Sequence, residues 1–230
     1  MEKSQYNLCI EIFRKFEQAG VLSQLILIGS WCVIFYKNYF KNHTALINFT
    51  LRTRDVDFLV ENPAKIRVNV NIPDLLKDMG FVVSYTGRQG YMRLSHTDLI
   101  LEFLVPEKGK GVDGPVDLPA LGMNAVALRY LNFLTENIIQ IKVEDFVITL
   151  PHPANFALHK LIIGQRRIKQ DKAAKDMDAA VCVLKTLIAN NQLDSIQDVF
   201  NKAPLKWQKK IIEGLKLTGD RELTLQIIKT

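Results

Sequence analysis

Arg52-Thr-Arg-Asp-Val-Asp-Phe-Leu-Val60 reads as a strand that carries chemistry on one face. Alternate residues of an extended chain share a face, so Asp55 and Asp57 project together while Val56, Phe58 and Val60 turn to the opposite, buried side. Two converging carboxylates repel and raise one another's pKa. A site that keeps both ionised therefore holds a hard cation such as magnesium or manganese. An exposed strand end with two solvated acids would carry the same letters, so the neighbouring segments must decide.

Downstream, Asp98-Leu-Ile-Leu-Glu-Phe-Leu-Val105 is an apolar strand interrupted by Glu102. A carboxylate in such a run is costly to bury unless it is paired or metal-bound, which makes Glu102 the expected third ligand beside Asp55 and Asp57. Asp98 shares its parity but lies nearer the strand start, as an alternative ligand or a solvated turn residue. Upstream, Leu25-Ile-Leu-Ile-Gly-Ser30 passes from a strand through a tight turn into a helix. Gly29 would let a phosphate approach the backbone, while amides at the helix start and the Ser30 hydroxyl can donate to it. A Gly-Ser pair alone is an ordinary turn, and only the combination carries weight.

Around these segments, strands are expected at Leu25–Ile28, Asp55–Val60, Ile66–Val70, Phe81–Tyr85, Tyr91–Leu94 and Leu99–Val105, from their β-branched and aromatic content. Helices are expected at Ser4–Gln18, Ser30–Phe40 and Pro73–Met79. Past Pro153 the period becomes helical, and Ala174, Met177, Val181, Leu184 and Ile188 read as one apolar stripe over about five turns. Pro204 separates helices at Leu193–Ala203 and Leu205–Leu217. The fold class is thus α+β, a mixed-sheet domain over 1–150 followed by a basic helical domain over 151–230.

Composition narrows the function classes. Hydrophobic residues make up 48% and charged residues 23% of the 230, as in globular proteins. The longest apolar run, Leu25–Tyr36, is too short to span a bilayer, and the charged N-terminal stretch is unlike a secretory signal, so a cytoplasmic protein without membrane partners is expected. Cys9, Cys32 and Cys182 read as reduced core thiols. Residues 151–230 hold 14 Lys and Arg against 8 Asp and Glu, which places the whole net charge of +6 there. Lys160, Arg166, Arg167, Lys169, Lys172 and Lys175 face one acid, Asp171, a segment suited to phosphates or a nucleic-acid backbone as well as to plain solvation. The four histidines lack zinc-ligand spacing. Gly109-Lys-Gly-Val-Asp-Gly114 has dinucleotide-binding spacing, but Pro115 and Pro119 follow where a helix should begin.

Taken together, the Gly29-Ser30 turn, the Asp55-Val-Asp57 strand and the isolated Glu102 resemble the polymerase-beta-like nucleotidyltransferase superfamily. More closely, Leu51–Val60, Leu101–Val105, Leu158-His-Lys-Leu161 with Arg166-Arg167, and Lys172-Ala-Ala-Lys-Asp176 resemble recurring blocks of a bacterial group of nucleotidyltransferase-like proteins. One departure is the 24 residues between Ser30 and Asp55, which imply an inserted loop near Lys41–Thr50. The resemblance implies a nucleotidyltransferase core, two-metal transfer of a nucleoside monophosphate from a nucleoside triphosphate, and metal ligation by Asp55, Asp57 and Glu102 as the catalytic residues. Gly29, Ser30, Arg52 and Arg54 would hold the triphosphate. Lys160, Gly164 and Arg167, at i, i+4 and i+7, would form a phosphate-binding helix face, with Lys172 and Lys175 either joining it or forming a salt-bridged surface. The acceptor expected is tRNA or another RNA, including a toxin-like role that blocks tRNA ends, or else a small-molecule hydroxyl or a protein side chain; a third reading makes the helical part a protein-partner domain, for instance for an antitoxin. A catalytically silent nucleotide- or RNA-binding module remains the alternative.

Overall fold

The computed structural model describes residues 3–41, 46, 53–109, 111 and 114–228. Arg52, His43 and most of the expected insertion at Lys41–Thr50 lie outside the described residues. The chain divides into two compact units, Met1–Cys32 with Leu51–Leu150, and Val33–Thr50 with Pro151–Thr230.

In the first unit, helix α1 (Lys3–Gln18) lies against a mixed sheet. The strands are β1 (Ile26–Ile28), β2 (Asp55–Leu59), β3 (Val82–Thr86), β4 (Tyr91–Ser95), β5 (Ile100–Pro106), β6 (Val116–Leu118), β7 (Met123–Leu128), β8 (Ile138–Val143) and β9 (Phe146–Pro151). They pair in the order β3-β4-β5-β2-β1-β9-β8, and β7 joins β5 and β6. β2 runs parallel to β5 and antiparallel to β1, so the chain crosses over between the two acid-bearing strands.

Strand alternation sorts the sheet into two faces. On one, Phe58 stacks on Phe103 at 5.6 Å, and Phe13 and Phe16 of α1 meet Phe58 at 5.9 and 5.4 Å. Val56, Phe58 and Val60 are all buried, as the alternation of β2 requires. The other face carries the acids, and two residues further along each strand it turns apolar: Ile26, Ile28, Leu59 and Leu104 pack with Leu131 and Leu134.

The strand pattern legible in the sequence stops at Val105, whereas the structure adds β6 to β9. Conversely, Ile66–Val70 is not a strand. Its backbone bonds singly instead, the Arg67 amide to the Gln24 side chain and the Val70 amide to the Ala120 carbonyl. The helix expected at Pro73–Met79 is α3 (Ile72–Leu76), capped by the Asn71 side chain and continued by a 3-10 turn over Lys77–Met79.

Helix α2 (Trp31–Tyr39) spans the point where the first unit gives way to the second. The second unit also contains α4 (Pro153–Gly164), α5 (Gln170–Ala189), α6 (Leu193–Lys202), α7 (Leu205–Leu217) and α8 (Arg221–Ile228). His152 caps α4, with Nδ1 accepting from the Ala154 amide at 3.2 Å, and Pro153 takes the first turn, where a missing N–H costs nothing. Apart from Ile163, α4 is buried all round, as a central helix is, and it carries Asn155, His159 and Lys160 inside with its apolar residues. Gly214 of α7 permits the closest approach, because a Cβ there would stand 2.8 Å from the Leu161 carbonyl oxygen.

The buried face of α5 differs from the expected stripe. Of that stripe Leu184 is buried, Met177, Val181 and Ile188 are half-buried and Ala174 is exposed, while Asp176, Ala179, Ala180, Val183 and Leu187 face inward beside Leu184. The helix is rotated from its apolar average, and its inward Asp176 meets the buried Lys160 and the exposed Arg167.

The Phe58 layer packs the sheet against α1. Phe58→Ala is expected to lower stability by about 3–5 kcal/mol, read as a shift of the urea midpoint at unchanged slope.

Candidate active site

β1 is a short, wholly buried strand that ends at Ile28, directly opposite Asp57. The chain then turns at Gly29, whose φ of +72° is strained for any residue with a side chain. The carboxylate of Asp57 occupies the room a side chain would need: a Cβ on Gly29 would overlap its Oδ2 and stand 3.2 Å from its Cγ. Glycine is therefore required twice, by the turn and by the acid beside it. Ser30 follows, half-buried, and α2 begins at Trp31, one residue after the expected start.

Parallel pairing sets Asp57 beside Glu102 and Asp55 beside Ile100, so all three acids belong to one face of two adjacent strands. Asp55 and Asp57 are each half-buried, as is Glu102. The row extends further: Ser84 of β3 pairs with Arg93 of β4, and Arg93 makes an ion pair with Glu102. Ser84, Arg93, Glu102, Asp57 and Ile28 thus form one line across five strands.

The described residues hold no ready-made group of three His, Cys, Asp or Glu side chains for a metal ion. Within the row, Glu102 directs its Oε1 to the guanidinium on the next strand. Asp98 falls in the bend before β5, where its amide donates to His96 Nδ1 at 3.1 Å and its carbonyl accepts from Gln5 at 3.1 Å. Arg54 has the strand parity of Val56 and donates through Nη2 to the His96 carbonyl at 2.8 Å.

In the helical unit the basic residues separate into two kinds. Lys160 is buried, 5% exposed, and its Nζ donates to Asp176 Oδ1 at 2.5 Å. Arg167 donates from Nε to Oδ2 of the same carboxylate at 2.8 Å. The expected face of Lys160, Gly164 and Arg167 is not one helix face, because α4 ends at Gly164 and Arg167 lies beyond it. Burial pushes the Asp176 carboxyl up, but the Lys160 charge and the hydrogen bonds from Lys160 and Arg167 outweigh it and leave the pKa lowered. His159 is buried beside this cluster, its pKa lowered to about 3 by burial and then by the Lys160 charge. Lys172 and Lys175, by contrast, are exposed on the first turns of α5.

Sequence reading missed Arg93 and the inward turn of Asp176. For Arg93 the signal is present in Tyr91-Met-Arg-Leu-Ser95, a strand with one base on its polar parity. Its partner depends on the register with β5, which no local pattern encodes.

A nucleotidyltransferase family model matches residues 7–204. The chain belongs to this nucleotidyltransferase family. No curated protein sequence matches the chain. Among solved structures, this nucleotidyltransferase is similar to ANT(2″)-Ia in complex with adenylyl-2″-tobramycin, at 11% identity and a TM-score of 0.50 over 94% of this chain and 99% of that one. It is also similar to an antigenic nucleotidyltransferase-like protein from Paracoccidioides brasiliensis, at 13% identity and a TM-score of 0.50 over 96% and 92%. At such identities the likeness shows the fold: a mixed-sheet nucleotidyltransferase core with C-terminal helices. Among the described residues no helix is long and apolar enough to cross a membrane, and no disulfide joins the three cysteines, of which Cys9 and Cys32 are buried and Cys182 is half-buried.

Two expectations follow. Gly29→Ala forces a side chain onto the Asp57 carboxylate at a positive φ, costing about 1–3 kcal/mol, and nucleotide transfer should fall at least tenfold while circular dichroism stays native. His159 has a folded pKa below its ordinary 6.5, so the unfolded chain takes up a proton that the folded chain refuses. Its contribution is full above pH 6.5 and is lost as pH falls toward about 3. Melting temperature measured against pH should fall through that window, and less steeply in His159→Gln.

Proposed function

We propose that this nucleotidyltransferase moves a nucleoside monophosphate from a nucleoside triphosphate to an acceptor hydroxyl, on the sheet face that carries Asp55, Asp57 and Glu102. The observation that carries the reading is the pairing of Asp57 with Glu102 on neighbouring strands, with Gly29 shaped around the Asp57 carboxylate.

The donor set fits a hard divalent ion, magnesium or manganese: it is all carboxylate oxygen, from two adjacent strands, at the border of an apolar patch where unbalanced charge is costly. Asp55, Asp57 and Glu102 would hold such ions, which supply Lewis acidity at the α-phosphate and ease ionisation of the acceptor hydroxyl. The turn after β1 has a complementary task. Its backbone at Gly29, the amides opening α2 and the Ser30 hydroxyl are the donors suited to the triphosphate tail. In the transfer, the acceptor oxygen bonds to the α-phosphorus as the bond to the β-phosphate oxygen breaks, and pyrophosphate leaves.

RNA, tRNA included, is the acceptor favoured by the exposed bases Arg166, Lys169, Lys172 and Lys175 of the helical unit. A second reading, a binding module without catalysis, draws support from Glu102, whose carboxylate is already taken by Arg93.

The two readings separate in one experiment. Pure protein is incubated with magnesium and each labelled triphosphate, and label is scored on RNA, protein and small hydroxylic acceptors together with released pyrophosphate. Transfer that drops roughly a hundred- to thousandfold in Asp57→Asn is expected. Nucleotide or RNA binding that survives Asp55→Ala and Asp57→Ala, needs no metal and yields no pyrophosphate would favour the silent module instead.

A further inference from the structure

Arg93 is the unassigned charge on the acid face. It stands next to Glu102 in the row that continues to Asp57, and its other neighbour, Ser84, is tied by its hydroxyl to Ser95 at 2.7 Å. Two carboxylates on adjacent strands need positive charge close by, and an arginine on the third strand supplies it as a permanent cation with a planar fork matched to carboxylate. The guanidinium also has a way out. Its side chain is 38% exposed against 19% for Glu102; the Nε that meets the carboxylate is buried, so the exposed end of the fork is what can turn to water when the carboxylate changes partner. A divalent ion brings twice the charge to the same oxygens, and Oε1 cannot serve both cations in full.

From this geometry we infer that Arg93 is a built-in counter-ion: it holds Glu102 in the metal-free protein and yields the carboxylate when a divalent ion binds. The inference rests on the metal-site reading above and goes beyond it, by making Arg93 a positioning residue that competes with the metal. Competition for one carboxylate is reciprocal, so whatever weakens the arginine must strengthen the ion.

Manganese binding followed by electron paramagnetic resonance tests this on the full chain, with melting temperature recorded with and without the ion. Arg93→Met should bind manganese about tenfold more tightly than the wild type and melt lower without the ion, the gap closing when manganese is added. Arg93→Lys keeps the charge and should stay near wild-type affinity. An arginine of merely structural importance would lower the melting temperature without tightening manganese. Should Arg93→Met misfold, Arg93→Gln gives the same comparison. Affinity that is unchanged or weaker in the neutral variants, with binding abolished by Asp57→Asn, overturns the inference and leaves the metal site standing. Manganese binding absent from the wild type, or indifferent to Asp57→Asn, overturns the metal-site reading and the inference with it.

Discussion

Two negative charges held side by side on neighbouring strands impose a demand that the rest of this face must meet. Asp57 and Glu102 are paired by the parallel register of β2 and β5, and neither can move away without slipping the whole ladder. Their repulsion grows as water is excluded, and the same face turns apolar only two residues on, at Leu59 and Leu104. Every charged or shaped feature nearby answers to that pair. Arg93 supplies charge, Gly29 makes room, and the short buried strand β1 brings the glycine turn to Asp57.

Much of this was legible in the sequence, for a definite reason. Alternation along a strand is a local rule, so the common face of Asp55 and Asp57 and the buried face of Val56, Phe58 and Val60 could be read directly. A lone Glu102 in an apolar run marked itself by the cost of burying it. The turn at Gly29-Ser30 stood out at the end of a short apolar strand. What could not be read is what depends on partners distant in the chain. Arg93 meets Glu102 through the register of β4 with β5, and Ile66–Val70 lacks a partner strand despite its β-branched residues, bonding singly to Gln24 and Ala120 instead.

The helical unit teaches the same lesson with the sign reversed. An apolar average places the inner face of α5 on Ala174, Met177, Val181, Leu184 and Ile188, but of these only Leu184 is buried and the helix turns Asp176 inward. One carboxylate receiving Lys160 and Arg167 is enough to set the rotation, because leaving a buried lysine without its partner is far costlier than exposing an alanine. The two kinds of base in this unit therefore divide by role. Lys160 and Arg167 are held by Asp176, while Lys172 and Lys175 remain in solvent.

Membership of a nucleotidyltransferase family fixes the chemistry at the level of class, and the likeness to solved structures fixes the fold. We propose the acid row as the location of that chemistry. Anomalous diffraction at the manganese edge, from crystals grown with manganese and a non-hydrolysable triphosphate, addresses the location most directly. Density against Asp55, Asp57 and Glu102, with the triphosphate at the Gly29 turn, is the expected result. Manganese bound elsewhere, with these three carboxylates uncoordinated in the presence of nucleotide, would contradict the assignment of this face as the active site.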